Sequence, residues 1–278
     1  MSSLPYIIEP TQLAALQVQT TRLLLVDLSN EETYRQGHIE GAVHVPPRWL
    51  LNGQPPVPGK IASEDQLNRL FSFLGLTPDT HVVVYDDEGG GWAGRFIWTL
   101  DAIGHTRYSY LNGGLHAWIH SGLPLSQEVP TLKPSKVQVK INPAVVVEVD
   151  DILRDLDKAN FVVWDARSPA EYRGERVTAM KAGHIPGAIN CEWTNLMDRN
   201  QGLRIREDAR DYLAALGLNN RQKIITHCQG HHRSGFTYLV GKALGFDIRA
   251  YHGSWAEWGN HPDTPVETGD QASQQAEA

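Results

Sequence analysis

The sequence predicts an α/β protein of two tandem domains, each a parallel sheet with helices on both faces. Three observations carry that prediction. Four blocks of the first half recur in the second half in the same order. Within each half, short aliphatic or β-branched runs alternate with amphipathic stretches, the pattern of a parallel sheet covered by helices. A polar, proline-containing segment separates the halves. The 278 residues suffice for two domains of ordinary size.

The elements follow in chain order. IIEPTQL at 7–13 is answered by VVEVDDIL from 146. LLLVDLSNEETYRQGHIEGAVHV (23–45) is answered by FVVWDARSPAEYRG (161–174) and then GHIPGAIN (183–190). The runs LLLVD and FVVWD read as buried strands. Next, SEDQLNRLFSFLGL sets Leu67, Leu70, Phe71 and Leu74 at helical spacing, with Ser63 and Gln66 as a capping box; EDARDYLAALGL does the same in the second half. VVVYDDEGGGWAGRFIWTLDAIG (82–104) pairs with IITHCQGHHRSGFTYLVGKALG (224–245), and LNGGLHAW (111–118) with YHGSWAEW (251–258). A repeat of this length means two whole domains. The expected boundaries are 1–125 for the first domain, 126–142 for a linker (SQEVPTLKPSKVQVKIN) and 143–267 for the second, with a disordered tail at 268–278.

Composition narrows the function. With 41% hydrophobic and 21% charged residues the chain reads as soluble and globular. No apolar run is long enough to span a bilayer, and the start shows neither a secretory signal nor an Arg-rich transit peptide. A net charge of −7 argues against nucleic-acid binding. Cys191 and Cys228 are too few for a disulfide framework and suit a reducing cytoplasm.

The stretch that demands a chemical explanation is HCQGHHRSG, 227–235. Cys228 ends the run KIITH and precedes a helix expected from about Ser234, so it sits where ligands bind parallel sheets. A turn there aims backbone N–H groups inward, and the following helix adds partial positive charge. Arg233 and a protonated His231 or His232 raise the potential further, which favours a thiolate. A zinc site from Cys228, His231 and His232 is disfavoured, because adjacent histidines rarely converge on one ion. A dithiol switch is disfavoured because no C-x-x-C is present. Cys191 reads as a packed core residue.

DARSPAEYRG…GHIPGAIN and HCQGHHRSG together resemble the rhodanese (sulfurtransferase) family. The resemblance covers residues 6–267 and is strongest with tandem-domain bacterial members, whose active loop reads C-Q-x-H-H-R and whose end is similar to GSWAEWGNHPDTPVE. It implies thiosulfate sulfurtransferase activity with no cofactor. The Cys228 thiolate takes the outer sulfur of a small anionic donor as a persulfide. It then passes that sulfur to cyanide, a thiol or a protein acceptor. Arg233, with Gln229, Gly230, His231 and His232, would bind donor and persulfide. It implies a non-catalytic first domain, in which alignment through the shared glycines sets Asp87 opposite Cys228, and Trp92 as a residue of the interdomain cleft. Arg173, in the insertion YRGERVTAMKAG, is a further donor-binding candidate, ahead of Arg176 and Lys181. Asp165, Arg167 and His184 read as turn-orienting residues, and His227 and Trp193 as packed ones. The family further suggests a monomer. A 3-mercaptopyruvate sulfurtransferase and a persulfide relay protein remain alternatives, and a C-x5-R phosphatase is disfavoured by the shorter C-x4-R loop.

Overall fold

The computed structural model describes residues 4–17 and 23–270. The first domain holds strands β1 (Ile7–Ile8), β2 (Leu23–Asp27), β3 (Ala42–His44), β4 (His81–Tyr85) and β5 (Tyr108–Leu111). Its helices are α1 (Pro10–Gln17), α2 (Glu31–Gln36), α3 (Glu64–Phe73), α4 (Gly91–Ala102) and α5 (Gly114–His120). The second domain repeats the plan with β6 (Val146–Val147), β7 (Phe161–Asp165), β8 (Ile189–Asn190), β11 (Lys223–His227) and β12 (Asp247–Tyr251). Its helices are α6 (Val149–Asp155), α7 (Pro169–Tyr172), α8 (Ala209–Ala215), α9 (Arg233–Ala243) and α10 (Ser254–Trp258). A small antiparallel pair, β9 (Met197–Asp198) with β10 (Arg204–Ile205), is extra to the repeat.

Both five-stranded sheets are parallel and share one order, β1-β5-β4-β2-β3 and β6-β12-β11-β7-β8. Strand alternation gives each sheet two buried faces. Val82 and Val84 of β4, with Val162, Trp164 and Ile224 of the other sheet, enter one apolar core that runs through both domains. Val83 and Leu25 face a core private to the first domain, and Val163 and Ile225 one private to the second. The domains are therefore joined by shared burial, which is the dominant stabilising term.

The tightest join is α4 against α9. A Cβ on Gly94 would stand 2.1 Å from the Gly235 carbonyl oxygen, and one on Gly235 would stand 2.5 Å from the Arg95 nitrogen. Only glycine lets the two backbones meet there. The expected capping box of α3 is present, with Ser63 accepting from the Gln66 N–H and Gln66 accepting from the Ser63 N–H.

The segment expected as a linker has no helix or strand, yet it is tied down. The N–H groups of Val137, Val139 and Ile141 donate to Ser72, Asn68 and Glu64 side chains along α3. Of the expected tail, residues 271–278 lie outside the described residues. Before them, Gly269 donates to the Arg173 carbonyl and Asp270 approaches Arg173.

Candidate active site

β11 is the central strand of its sheet, flanked by β12 and β7. Cys228 follows its last residue, and α9 begins at Arg233, close to the expected start. Trp255 and Ala256 donate backbone N–H bonds to the carbonyls of Cys228 and Gln229 (2.9 and 3.0 Å), which pins the loop to α10. His231 takes a left-handed φ of +55°, and that turn folds the loop back over the cysteine.

The Cys228 sulfur is buried. The Ser234 hydroxyl donates to it at 3.4 Å and the Ser234 backbone N–H supports it. Burial opposes ionisation, but Arg233, both Ser234 donors and His232 together outweigh it and hold the thiol below its ordinary value. The sequence expectation of a thiolate in an anion cradle thus has a geometric basis.

The loop side chains divide the work differently from the expectation. Arg233 forms a bidentate pair with Glu171 at 2.7 and 2.9 Å. Burial alone would raise the Glu171 carboxyl, yet Arg233 holds it at about 2. Arg233 therefore acts on Cys228 through its charge while two of its five donors are held by Glu171. The idea of a protonated His231 needs correction. Its ring is fully buried, and burial first, then Arg95, pushes its pKa well below the ordinary value, so it is neutral. Its Nδ1 lies 2.8 Å from the Ser234 hydroxyl. Because that hydroxyl donates to sulfur, Nδ1 must carry the proton and donate to Ser234.

His232 is the loop histidine whose charged form is favoured. Burial works against its charge, but an ion pair with Glu88 from the first domain raises its pKa. Trp92 stacks on His232 at 4.3 Å, and Trp193 tilts toward it at 5.6 Å. Trp92 also lines a cavity of about 490 Å³ with His44, Arg48, Asp87 and Glu88. Gln229 exchanges hydrogen bonds with Thr178, so the insertion expected near the donor does touch the loop. The contact is made by Thr178, whereas Arg173 is engaged by Glu175 and Asp270. Gly230 meets the first domain at Gly59, where a Cβ on Gly59 would stand 2.4 Å from the Gly230 carbonyl oxygen.

The structure corrects the partner of Cys228 in the first domain from Asp87 to Asp86. Tyr85 pairs with Asp27 in β2 as His227 pairs with Asp165 in β7, so the next residues correspond. Leu115 donates to the Asp86 carbonyl as Trp255 does to that of Cys228. Glycines misled the alignment because they mark left-handed turns, and His231 takes that role at the site of Gly89 (φ +97°). The Asp86 carboxylate accepts N–H bonds from Glu88, Gly89, Gly90 and Ala93 at 2.8–3.1 Å. The same cradle is thus filled by the chain's own anion. Burial, then the Glu88 charge, pushes the Asp86 carboxyl up to about 6.

The residues read as structural are so placed. Arg167 pairs with Asp165 at 2.6 Å and donates to the Gly183 carbonyl, all buried. His184 stacks on Tyr172 at 3.6 Å, as His38 does on Tyr34 at 3.9 Å. His227 is buried beside Asp165. Cys191 is buried and its thiol is pushed up to about 12, first by burial, which leaves it unreactive. Sequence reasoning missed Glu88, Glu171, Thr178 and Arg95. Glu171 did carry a signal, since Ser168 and Glu171 form a capping box, but that pattern predicts a helix start and says nothing of Arg233. Among the described residues no group of three His, Cys, Asp or Glu side chains converges on a metal position.

Comparison with known proteins agrees with this geometry. The Rhodanese-like domain matches twice, at residues 9–121 and 148–261. A thiosulfate sulfurtransferase of Azotobacter vinelandii is 52% identical over 96% of this chain and 98% of its own length. The sulfur carrier protein TtuD of Thermus thermophilus is 32% identical over 86% of this chain and 88% of its own. A solved structure of the anaerobic ergothioneine biosynthesis enzyme from Chlorobium limicola superposes with a TM-score of 0.83 at 21% identity, covering 95% of this chain and 70% of that one. That likeness bears on the fold alone. With two matched copies, two sheets of one topology and a cysteine at the end of only one central strand, the chain belongs to the rhodanese family.

Proposed function

We propose that this protein is a thiosulfate sulfurtransferase working through a Cys228 persulfide. The carrying observation is the buried Cys228 sulfur, held by Ser234 donors and lowered in pKa by Arg233 and His232. The thiolate attacks the outer sulfur of thiosulfate. A new S–S bond forms at Cys228 and the donor's S–S bond breaks, with its electron pair leaving on sulfite. Cyanide or a thiolate then attacks the terminal sulfur, takes it, and restores the Cys228 thiolate. The cysteine itself carries the group, so no cofactor is invoked. A positive loop favours a dianionic donor over 3-mercaptopyruvate, and the similarity to a thiosulfate sulfurtransferase supports the same choice. The similarity to a sulfur carrier protein favours, as a second reading, delivery to a protein acceptor. Two free cysteines fit a reducing cytoplasmic setting.

Intact mass after thiosulfate treatment tests the reading. A gain of one sulfur, about 32 Da, that disappears with cyanide and in Cys228→Ala is expected. An unchanged wild-type mass would sink it. Steady-state rates with both donors separate thiosulfate from 3-mercaptopyruvate.

A further inference from the structure

Arg95 plays no part in that reading and comes from the domain without the cysteine. It lies in α4, and its side chain is fully buried. A buried guanidinium is strongly unfavourable unless a counter-charge meets it. Among the described residues no carboxylate pairs with Arg95. Its Nη1 and Nη2 donate only to the carbonyls of His231 and Leu50, at 3.5 and 3.3 Å, and its Nε–H has no acceptor. The guanidinium rests on the Trp98 ring at 4.6 Å. Arg167, as deeply buried in the other domain and resting on Trp255 at 4.3 Å, has Asp165 as its carboxylate. Arg95 lacks the equivalent.

Position supplies the missing anion. The Arg95 backbone abuts Gly235, next to the serine that bonds the Cys228 sulfur, and Nη1 faces the carbonyl of His231 in the active loop. Burial pushes the Arg95 guanidinium down to about 9, and the charge on Cys228 pulls it back. Arg233 and His232, each with its carboxylate (Glu171 and Glu88), act on this sulfur from its own loop and helix; His231 reaches it through Ser234, and Arg95 approaches from α4 at the His231 carbonyl. His252, which follows β12 and pairs with Glu148, lies behind them.

We propose that Arg95 is a positioning residue: the cysteine-free domain supplies through it the buried counter-charge for the anionic sulfur of Cys228. That sulfur is a thiolate before loading and a persulfide after it, so the inference rests on the sulfur-transfer reading. It gives the first domain an electrostatic share in the chemistry. Sulfur of either form completes an otherwise unpaired charge.

The test is the pH profile of Cys228 alkylation by iodoacetamide in wild type, Arg95→Met and Arg95→Lys. Arg95→Met is expected to raise the apparent thiolate pKa by about one pH unit, a tenfold slower reaction on the acid side, with Arg95→Lys recovering most of it. A folded Arg95→Met whose profile coincides with wild type, whatever its thermal stability, overturns the proposal. If Arg95→Met does not fold, the Arg95 Nε–H resonance of ¹⁵N-labelled wild type decides. It should move with Cys228 ionisation and again on persulfide formation; a resonance indifferent to both refutes the assignment. Intact mass on the same samples reports sulfur loading separately. A wild type that never gains sulfur, but shows the shifted profile in Arg95→Met, leaves the counter-charge standing and removes the sulfurtransferase reading.

Discussion

Ser234→Ala isolates the contribution of one hydroxyl to the reactivity of Cys228. That hydroxyl donates to the sulfur at 3.4 Å and accepts from His231 Nδ1 at 2.8 Å, with both side chains buried. Alanine keeps the Ser234 backbone N–H, the second donor to the sulfur, so only the hydroxyl is lost. A hydrogen bond to a charged group contributes about 1.5–3 kcal/mol. Dividing by about 1.36 kcal/mol per pH unit, the Cys228 thiolate pKa should rise by roughly one to two units. Thiolate absorbance near the ultraviolet edge, titrated against a Cys228→Ala blank, reads this directly. The orphaned, buried Nδ1–H of His231 should also lower stability by about 1–3 kcal/mol, seen in urea unfolding. An unchanged thiolate pKa in a folded Ser234→Ala would refute the reasoning, because the Ser234 N–H and the surrounding charges would then set the ionisation without the hydroxyl.

Two further expectations concern the domain junction. Gly94→Ala should destabilise the whole chain by about 3 kcal/mol in denaturant unfolding, since its Cβ would press on the Gly235 backbone at 2.1 Å and neither helix can yield; a loss under 1 kcal/mol would contradict the close approach. Glu88→Gln should reduce stability in a pH-dependent way. His232 is raised in pKa by Glu88, so the pair's contribution is complete below the ordinary histidine value of about 6.5 and fades as pH climbs through the folded value. The deficit of Glu88→Gln relative to wild type should therefore be largest at acid pH and shrink toward alkaline pH, and a pH-independent deficit would count against a charged His232.

The repeat, the strand–helix alternation and the Cys228 loop were readable from the chain alone, because each is local. Strand runs such as LLLVD and KIITH advertise burial on both faces. The S-x-x-E/Q boxes advertise helix starts. A cysteine between a strand and a helix sits, by topology, at the ligand-binding end of a parallel sheet. The sequence by itself therefore determined the α/β class, the duplication and the placing of Cys228 between a strand end and a helix. Tertiary structure alone decided how charge is distributed around that thiol. Glu171, Glu88 and Arg95 are separated from Cys228 by 57, 140 and 133 residues of chain, and no local pattern reports which of them reach the loop. It also settled which aspartate answers the cysteine, since strand pairing fixes that register and glycines do not. The physical reason is common to all of these. Propensity and periodicity are set by near neighbours, whereas the ionisation of a buried group is set by whatever charges the fold brings beside it.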